Sequence, residues 1–185
     1  MPQLFFVKFE SLKILWKVGS KLENYLLKFN IIGYMKKATF AAGCFWHVEE
    51  VFSKTPGVKT TQVGYTGGNL ENPTYEEVCT DRTGHAEAIE VEYEPEEISY
   101  KELLKVFFEN HNPTTPNKQG PDVGIQYRSA IFYHDSEQEQ LAKEVKDKLN
   151  PIAKEKFGNE IVTEIKSAVP FYRAEEYHQK YFQKN

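Results

Sequence analysis

One cysteine stands where a sulfur atom can act as a nucleophile. Cys44 is one of two cysteines in 185 residues and lies in the stretch AAGCFWHVEE, between a predicted strand and a predicted helix. Backbone N–H groups at the start of a helix favour negative charge, which lowers the pKa of a thiol and favours the nucleophilic thiolate. Gly43 permits a tight turn and the approach of a substrate, and Phe45 and Trp46 offer an apolar wall. The alternative is a cysteine buried among aromatic side chains for packing alone.

A carboxyl group and two phenols are candidates for the remaining chemistry. Glu87 begins a predicted strand between Ala86 and Ala88, and a carboxyl beside apolar side chains has a raised pKa and can donate a proton. Tyr75 and Tyr127 lie near loop ends, where a phenol can present its hydroxyl group. Each has an ordinary alternative, since Glu87 fits a solvent-facing strand position and the chain holds 11 tyrosines, most of which must serve packing.

The five histidines add no further site on the sequence alone. His47 lies three residues after Cys44, where it either supports the thiolate or is a partly exposed helix residue. The histidines and cysteines show no metal-ligand spacing, so we expect neither a metal ion nor a cofactor.

The elements that must hold these residues follow from the periodicity of the apolar side chains. The predicted strands show apolar–polar alternation, which favours an antiparallel or mixed sheet with one face covered. We therefore predict an α+β fold, a two-layer sandwich with helices on one side of the sheet, a ferredoxin-like core and long loops. The predicted strands are 37–41, 58–65, 86–95, 127–133 and 161–166. The predicted helices are 46–53, 75–79, one that is capped by Ser99 and reaches Phe108, 136–149, which Pro151 ends, and 174–182. Residues 111–126 are predicted to form a loop.

Composition excludes several classes of protein. The net charge of −4 gives no electrostatic footprint for nucleic acid. No run of about 18 apolar residues exists, so we expect no membrane span. Two cysteines are too few for a disulfide scaffold, which indicates a reducing, cytoplasmic compartment. We expect a monomer.

Residues 1–34 differ from the rest of the chain. They carry five lysines against two glutamates and are dense in Phe, Leu and Ile, leaving a net charge of −7 for the remainder. They do not form a secretory signal. Three interpretations remain: a helical or hairpin extension that packs on the domain or a partner, an unnatural leader ending before Met35, or a membrane-surface segment. We assign residues 35–185 to one catalytic domain.

Seven segments together resemble the A-type methionine sulfoxide reductases, in order and over roughly residues 37–182. No single segment would suffice, but a chance match of all of them is very improbable. The segments are GCFW (43–46), PGV (56–58), GYTGG (64–68), NPTYEEVC (72–79), TGHAEAIEV (83–91), FFENHNPTTPNKQGPDVGIQYRSAIF (107–132) and PFYRAEEYHQKYF (170–182).

The resemblance implies a reaction at the sulfur atom of methionine sulfoxide. The Cys44 thiolate attacks this sulfur in the S epimer, and protonated Glu87 delivers a proton to the departing oxygen. Methionine leaves, and Cys44 becomes a sulfenic acid.

The resemblance also implies how the substrate is held. Its methyl group docks against Phe45 and Trp46, and its S–O group meets hydroxyl groups of Tyr75 and Tyr127. Asp122, in the long loop, corresponds to an aspartate that helps to position the substrate. Free methionine sulfoxide and oxidised proteins are both candidate substrates.

The chain differs from many members of this family in the residues that could reduce the sulfenic acid back to a thiol. Those members carry resolving cysteines in a C-terminal tail. No cysteine follows Cys79 here. Either Cys79 attacks the Cys44 sulfenic acid and thioredoxin reduces the resulting disulfide, or Cys79 is structural and an external thiol such as glutathione, with glutaredoxin, reacts directly.

Two rival hypotheses use the same cysteine pocket. One is a cysteine hydrolase or acyltransferase with His85 or His111 as base, although nothing selects either histidine. The other is a non-catalytic module that recognises methionine, oxidised or native, through Phe45 and Trp46.

Overall fold

The computed structural model describes residues 34–185, so the extension predicted at 1–34 lies outside the described residues apart from Tyr34. The strands are β1 Lys36–Ala42, β2 Val58–Thr66, β3 Ala86–Tyr93, β4 Lys118–Gln119, β5 Asp122–Val123, β6 Ser129–Tyr133, β7 Glu164–Ser167 and β8 Tyr172–Arg173. The helices are α1 Phe45–Ser53, α2 Tyr75–Val78, α3 Tyr100–Glu109, α4 Ser136–Phe157 and α5 Tyr181–Lys184, with a 3₁₀ turn at Ile125–Tyr127.

Six strands form one mixed sheet in the order β7-β6-β1-β3-β2-β8, in which only the β6–β7 pair is parallel. The central strand β1 places Phe40 opposite Ile89 of β3 and Ile131 of β6. These three side chains are fully buried beneath α1, α3 and α4. The predicted α+β architecture with a helix-covered sheet face is therefore confirmed.

The helix-covered face extends to the start of β3, where the candidate proton donor lies. Residues at alternate positions of a strand share a face, so Glu87 lies on the same face as Ile89. Its cross-strand partner is Tyr65 of β2. The opposite face carries small side chains such as Ala86 and Ala88, against which Phe171 packs.

The predicted end of the long helix at residue 149 is wrong, because α4 runs through Pro151 to Phe157. Proline removes one backbone hydrogen bond from a helix interior. Here Ala153 and Phe157 extend the apolar stripe beyond the proline and pack on the core, which offsets that loss. The helix ends at Gly158, whose φ of 78° is left-handed.

Two predictions near the C-terminus are also wrong. The helix predicted at 174–182 is a series of turns followed by α5, because Lys180 has a left-handed φ of 51° and the side chain of Gln179 bonds to the backbone of Val63. The strand predicted at 161–166 begins at Glu164, because the N–H of Ile161 bonds to the side chain of Asn150 instead of to a strand.

The loop predicted at 111–126 contains structure that fixes the turn before Cys44. Strands β4 and β5 form a hairpin, and the side chain of Gln119 bonds to both the N–H and the carbonyl of Asn112. The same side chain lies directly against Gly43, whose φ is 90°. The hairpin therefore closes over the junction between β1 and α1.

None of the helices among residues 34–185 has the length and apolar character that a membrane span requires.

We predict that Gly43→Ala destabilises the fold more than Gly158→Ala. Both glycines have left-handed φ, which costs a Cβ-bearing residue about 1–2 kcal/mol. A Cβ on Gly43 would also lie 2.6 Å from side-chain carbons of Gln119, whereas nothing lies within 4 Å at Gly158. We expect the free energy of unfolding, measured with urea, to fall by about 2–4 kcal/mol in Gly43→Ala and by about 1 kcal/mol in Gly158→Ala. Equal losses would show that Gln119 does not constrain this junction.

Candidate active site

Cys44 is the N-cap residue of α1 and is half-buried. Burial raises the pKa of its thiol to about 11, although backbone N–H groups of Trp46 and His47 act to lower it and the charge of Glu87 raises it further. The lowered pKa predicted from the helix start is therefore wrong. The backbone groups act in the predicted direction, but loss of hydration outweighs them.

Glu87 is 2% exposed and lies next to the start of α1. Its Oε2 accepts a hydrogen bond of 3.1 Å from the N–H of Phe45. Burial raises the pKa of Glu87 to about 7; the Phe45 N–H acts to lower it, and the charge of Asp122 raises it. The predicted raised pKa is confirmed. The carboxyl group can hold a transferable proton at neutral pH.

The two aromatic residues after Cys44 form a wall that other elements hold in place. Phe45 is buried, with its ring centroid 5.9 Å from that of Tyr65. Trp46 is half-buried and stacks on Tyr181 with ring centroids 3.8 Å apart and an angle of 6° between planes. Its indole Nε1–H donates to Nδ1 of His178 at 3.1 Å.

Both candidate phenols lie at the ends of short helices and are half-buried. The hydroxyl group of Tyr75 contacts the Cys79 thiol, and this contact is the main reason that the pKa of Tyr75 is raised. Burial raises it further. Burial and then the charge of Glu87 raise the pKa of Tyr127 to about 12. Both hydroxyl groups therefore keep their protons at neutral pH and remain hydrogen-bond donors.

The structure brings Asp122 to the side of Cys44 that faces the β4–β5 hairpin. Both residues line a groove of about 540 Å³, together with His47, Asn110 and Gln119. His47 is exposed, as one of its two interpretations requires, and its ring lies 5.1 Å from that of Phe182.

Cys79 follows α2 and lies at the edge of this neighbourhood. It is exposed, and both cysteines are free thiols. Burial of part of the side chain raises the pKa of Cys79, although the Tyr75 hydroxyl acts to lower it and the charge of Glu87 raises it. Cys79 thus contacts Tyr75 and has no bond to Cys44.

The histidines of the hydrolase hypothesis are engaged elsewhere. His85 is buried. Its Nδ1 accepts a hydrogen bond from the N–H of Gly68, and its Nε2 forms a hydrogen bond with the carbonyl oxygen of Leu70. His111 bonds to the carbonyl of Phe107 and to the hydroxyl of Ser129. Neither ring is free to take a proton from Cys44. No group of three or more His, Cys, Asp or Glu side chains among residues 34–185 could hold a metal ion.

Sequence reasoning missed the residues behind the aromatic wall. Glu175 accepts hydrogen bonds from the hydroxyl of Tyr65 and the N–H of Tyr75, both at 3.0 Å. His178 contacts Trp46, and Tyr181 stacks on it. These residues lie in the segment PFYRAEEYHQKYF, for which the sequence predicted a helix at 174–182 and no residue of the site.

Comparison with known proteins decides which chemistry this pocket serves. A family model described as peptide methionine sulfoxide reductase matches residues 36–185. The chain belongs to the peptide methionine sulfoxide reductase family. It is an oxidoreductase that reduces methionine sulfoxide, and neither the hydrolase nor the binding-module hypothesis holds.

Individual members of the family support the assignment. Peptide methionine sulfoxide reductase MsrA of Methanoculleus marisnigri is 56% identical over 150 residues, which cover 81% of this chain and 90% of that protein. Methionine sulfoxide reductase A of Corynebacterium diphtheriae superposes with a TM-score of 0.79 at 38% identity, covering 84% of this chain and 77% of that one. Mxr1 from Saccharomyces cerevisiae, solved in complex with Trx2, gives a TM-score of 0.56 at 28% identity, covering 80% and 84%.

The raised pKa of Glu87 predicts how the stability of this reductase depends on pH. Below its ordinary pKa of 4.5, folded and unfolded chains both hold the proton. Between that value and about 7 only the unfolded chain releases it, so the folded state loses stability as pH rises. Relative to Glu87→Gln, we expect the wild type to lose about 2–3 kcal/mol between about pH 5 and about pH 8 in urea unfolding.

Glu102→Gln is the control of opposite sign. Hydrogen bonds from the backbone N–H and hydroxyl of Ser99 lower the pKa of Glu102, so the wild type should gain stability relative to this variant as pH rises. If the difference in the free energy of unfolding between the wild type and Glu87→Gln did not change with pH, Glu87 would not be desolvated.

Proposed function

We propose that this reductase acts on the S epimer of methionine sulfoxide, with Cys44 as the nucleophile and Glu87 as the proton donor. The observation that carries the proposal is the buried carboxyl of Glu87, which bonds at 3.1 Å to the N–H of Phe45, the residue after Cys44. A poor oxide leaving group needs an acid, and a carboxyl with a pKa of about 7 is protonated on about half of the molecules at neutral pH.

The chemical step transfers the oxygen atom from the substrate to the enzyme. The Cys44 sulfur bonds to the sulfoxide sulfur, and Glu87 protonates the sulfoxide oxygen. The resulting hydroxyl group moves to the Cys44 sulfur as the bond between the two sulfur atoms breaks and methionine leaves. Overall, thiol plus sulfoxide gives sulfenic acid plus methionine: the Cys44 sulfur is oxidised by two electrons, the substrate sulfur is reduced by two, and no net proton is consumed. Glu87 recovers its proton from the thiol.

The two pKa values set what the substrate must contribute. Burial raises the pKa of the thiol above that of the carboxyl, so moving a proton from Cys44 to Glu87 is unfavourable in the empty site. The sulfoxide sulfur carries partial positive charge and therefore favours the thiolate beside it. The thiolate then forms mainly when the substrate is bound, which protects the empty enzyme against oxidation of Cys44.

The proposal also assigns residues around Cys44 to holding the substrate. The methyl group packs against Phe45 and Trp46, and the sulfoxide oxygen accepts hydrogen bonds from the hydroxyl groups of Tyr75 and Tyr127. Asp122, which lines the groove beside Cys44, helps to position the substrate. Free methionine sulfoxide and oxidised proteins share this group, and both are proposed substrates.

We infer that thioredoxin completes the cycle after the sulfenic acid forms. The Saccharomyces cerevisiae relative solved with Trx2 supports a thioredoxin-type partner. Cys79 is the candidate resolving cysteine, because it is exposed and contacts Tyr75 beside the pocket. An external thiol such as glutathione, with glutaredoxin, is the alternative reductant. We also propose a reducing cytoplasmic compartment, in which cysteines stay as thiols, and a monomeric enzyme.

A single-turnover assay without external reductant tests the proposal. Enzyme is mixed with separated S and R sulfoxides, and methionine is quantified. We expect one equivalent from the S epimer only, and a rate at least about 100-fold lower in Glu87→Gln because general acid catalysis is lost. Cys44→Ser should yield none. An unchanged rate in Glu87→Gln would remove Glu87 from the mechanism.

The intact mass after that turnover decides the fate of the sulfenic acid. If Cys79 resolves it, the wild type loses two hydrogen atoms, and Cys79→Ser instead gains one oxygen atom. If the wild type itself gains one oxygen atom, Cys79 is structural and an external thiol reduces Cys44 directly.

A further inference from the structure

The C-terminal segment, residues 174–185, is bound to the elements that carry the active site. The side chain of Gln179 accepts from the N–H of Val63 at 3.0 Å and donates to its carbonyl at 2.9 Å, so it replaces a strand partner for β2. Glu49 on α1 accepts from the N–H of Lys180 at 2.5 Å. Both of these side chains are at least 95% buried, so the segment is held firmly behind the aromatic wall.

His178 is the residue of this segment that lies against both aromatic residues of the wall. It is 1% exposed, and its ring centroid lies 5.0 Å from that of Phe45 and 4.7 Å from that of Tyr75. Its Nδ1 accepts the hydrogen bond from the indole of Trp46. One imidazole ring therefore contacts three residues that the proposed function assigns to the substrate.

The hydrogen bond determines the protonation state of the ring. An indole N–H can only donate, so Nδ1 of His178 must carry no proton and Nε2 must carry it. Burial lowers the pKa of His178, although the charges of Glu175 and Glu76 oppose this effect. The ring is consequently neutral with a fixed tautomer, and its acceptor atom always faces Trp46.

The protonated nitrogen faces a carboxylate that also holds α2. Nε2 has no hydrogen-bond partner among the described residues, and its nearest charged atom is Oε2 of Glu175 at 3.9 Å. Glu175 in turn accepts from the backbone N–H of Tyr75. The tautomer that Trp46 requires is thus also the one that the charge of Glu175 favours.

We propose that His178 is a positioning residue for methionine sulfoxide reduction: its Nδ1 fixes the rotation of the Trp46 indole within its plane and so shapes the wall against which the substrate methyl group docks. Tyr181 stacks on one face of the indole and leaves rotation within the stacking plane to be set by the hydrogen bond. This inference rests on the proposed function, which places Trp46 at the substrate.

A matched pair of variants separates hydrogen bonding from packing. Asparagine and leucine have nearly the same shape, but His178→Asn keeps an acceptor near the position of Nδ1 and His178→Leu has none. We expect KM for the S sulfoxide to rise about fivefold in His178→Leu, the worth of one hydrogen bond, with kcat within about twofold. His178→Asn should restore most of the wild-type KM.

A second measurement uses no substrate and reports on the indole directly. In enzyme labelled with ¹⁵N-tryptophan, Trp46 and Trp16 give two indole N–H signals, which Trp16→Phe assigns. We expect the Trp46 signal of the wild type and His178→Asn to lie downfield and exchange slowly with solvent, and that of His178→Leu to move upfield and exchange faster. Urea unfolding confirms that each variant is folded.

Equal KM values in the asparagine and leucine variants, or a Trp46 signal that does not differ between them, would overturn the role of Nδ1. Tyr181→Leu guards against misfolding of the histidine variants: it removes the stacking contact but keeps the hydrogen bond, so the Trp46 signal should stay downfield, and an upfield signal there would contradict the proposal. If the wild type fails to reduce the S sulfoxide, the proposed function fails, and the indole signals still decide whether His178 orients Trp46.

Discussion

The hydrogen bond from the N–H of Phe45 to the carboxyl of Glu87 joins the first turn of α1 to the start of β3, and the active site depends on it. It exists because β1 and β3 are neighbours in the sheet, so that the turn after β1 returns the chain over the helix-covered face of β3. The glycine at 43 permits that turn, and the hairpin that carries Gln119 closes over it. One contact therefore places the acid beside the nucleophile.

Burial is the dominant electrostatic influence on both reacting groups. It raises the pKa of Cys44 and of Glu87 despite backbone N–H groups that favour their charged forms. The empty site consequently disfavours the thiolate, and the polar sulfoxide supplies the partner that a thiolate lacks. Tyr75 keeps its proton through its contact with Cys79 and through burial, and Tyr127 does so mainly through burial, so both hydroxyl groups can donate to the sulfoxide oxygen.

Local pattern was sufficient to predict β1, β2, β3, β6 and the capped helix after Ser99, whereas the candidate site residues came from local chemistry together with the family resemblance. It failed where distant parts of the chain decide the outcome. The pKa of Cys44 follows from tertiary burial and not from the helix start alone. The helix α4 continues beyond Pro151 because Ala153 and Phe157 meet the core. His178 and Trp46 are 132 positions apart, so no spacing in the sequence could indicate their hydrogen bond.

The protonation state of Glu87 in the folded enzyme is the property that most directly decides whether this carboxyl can act as an acid. It can be followed by NMR of enzyme labelled with ¹³C at the glutamate side-chain carboxyl carbon, with the Glu87 signal assigned from its absence in Glu87→Gln. A titration midpoint near pH 7 is expected from the desolvated site. A midpoint near 4.5, the ordinary value for a glutamate, would mean that the carboxyl is charged at neutral pH and cannot be the proton donor.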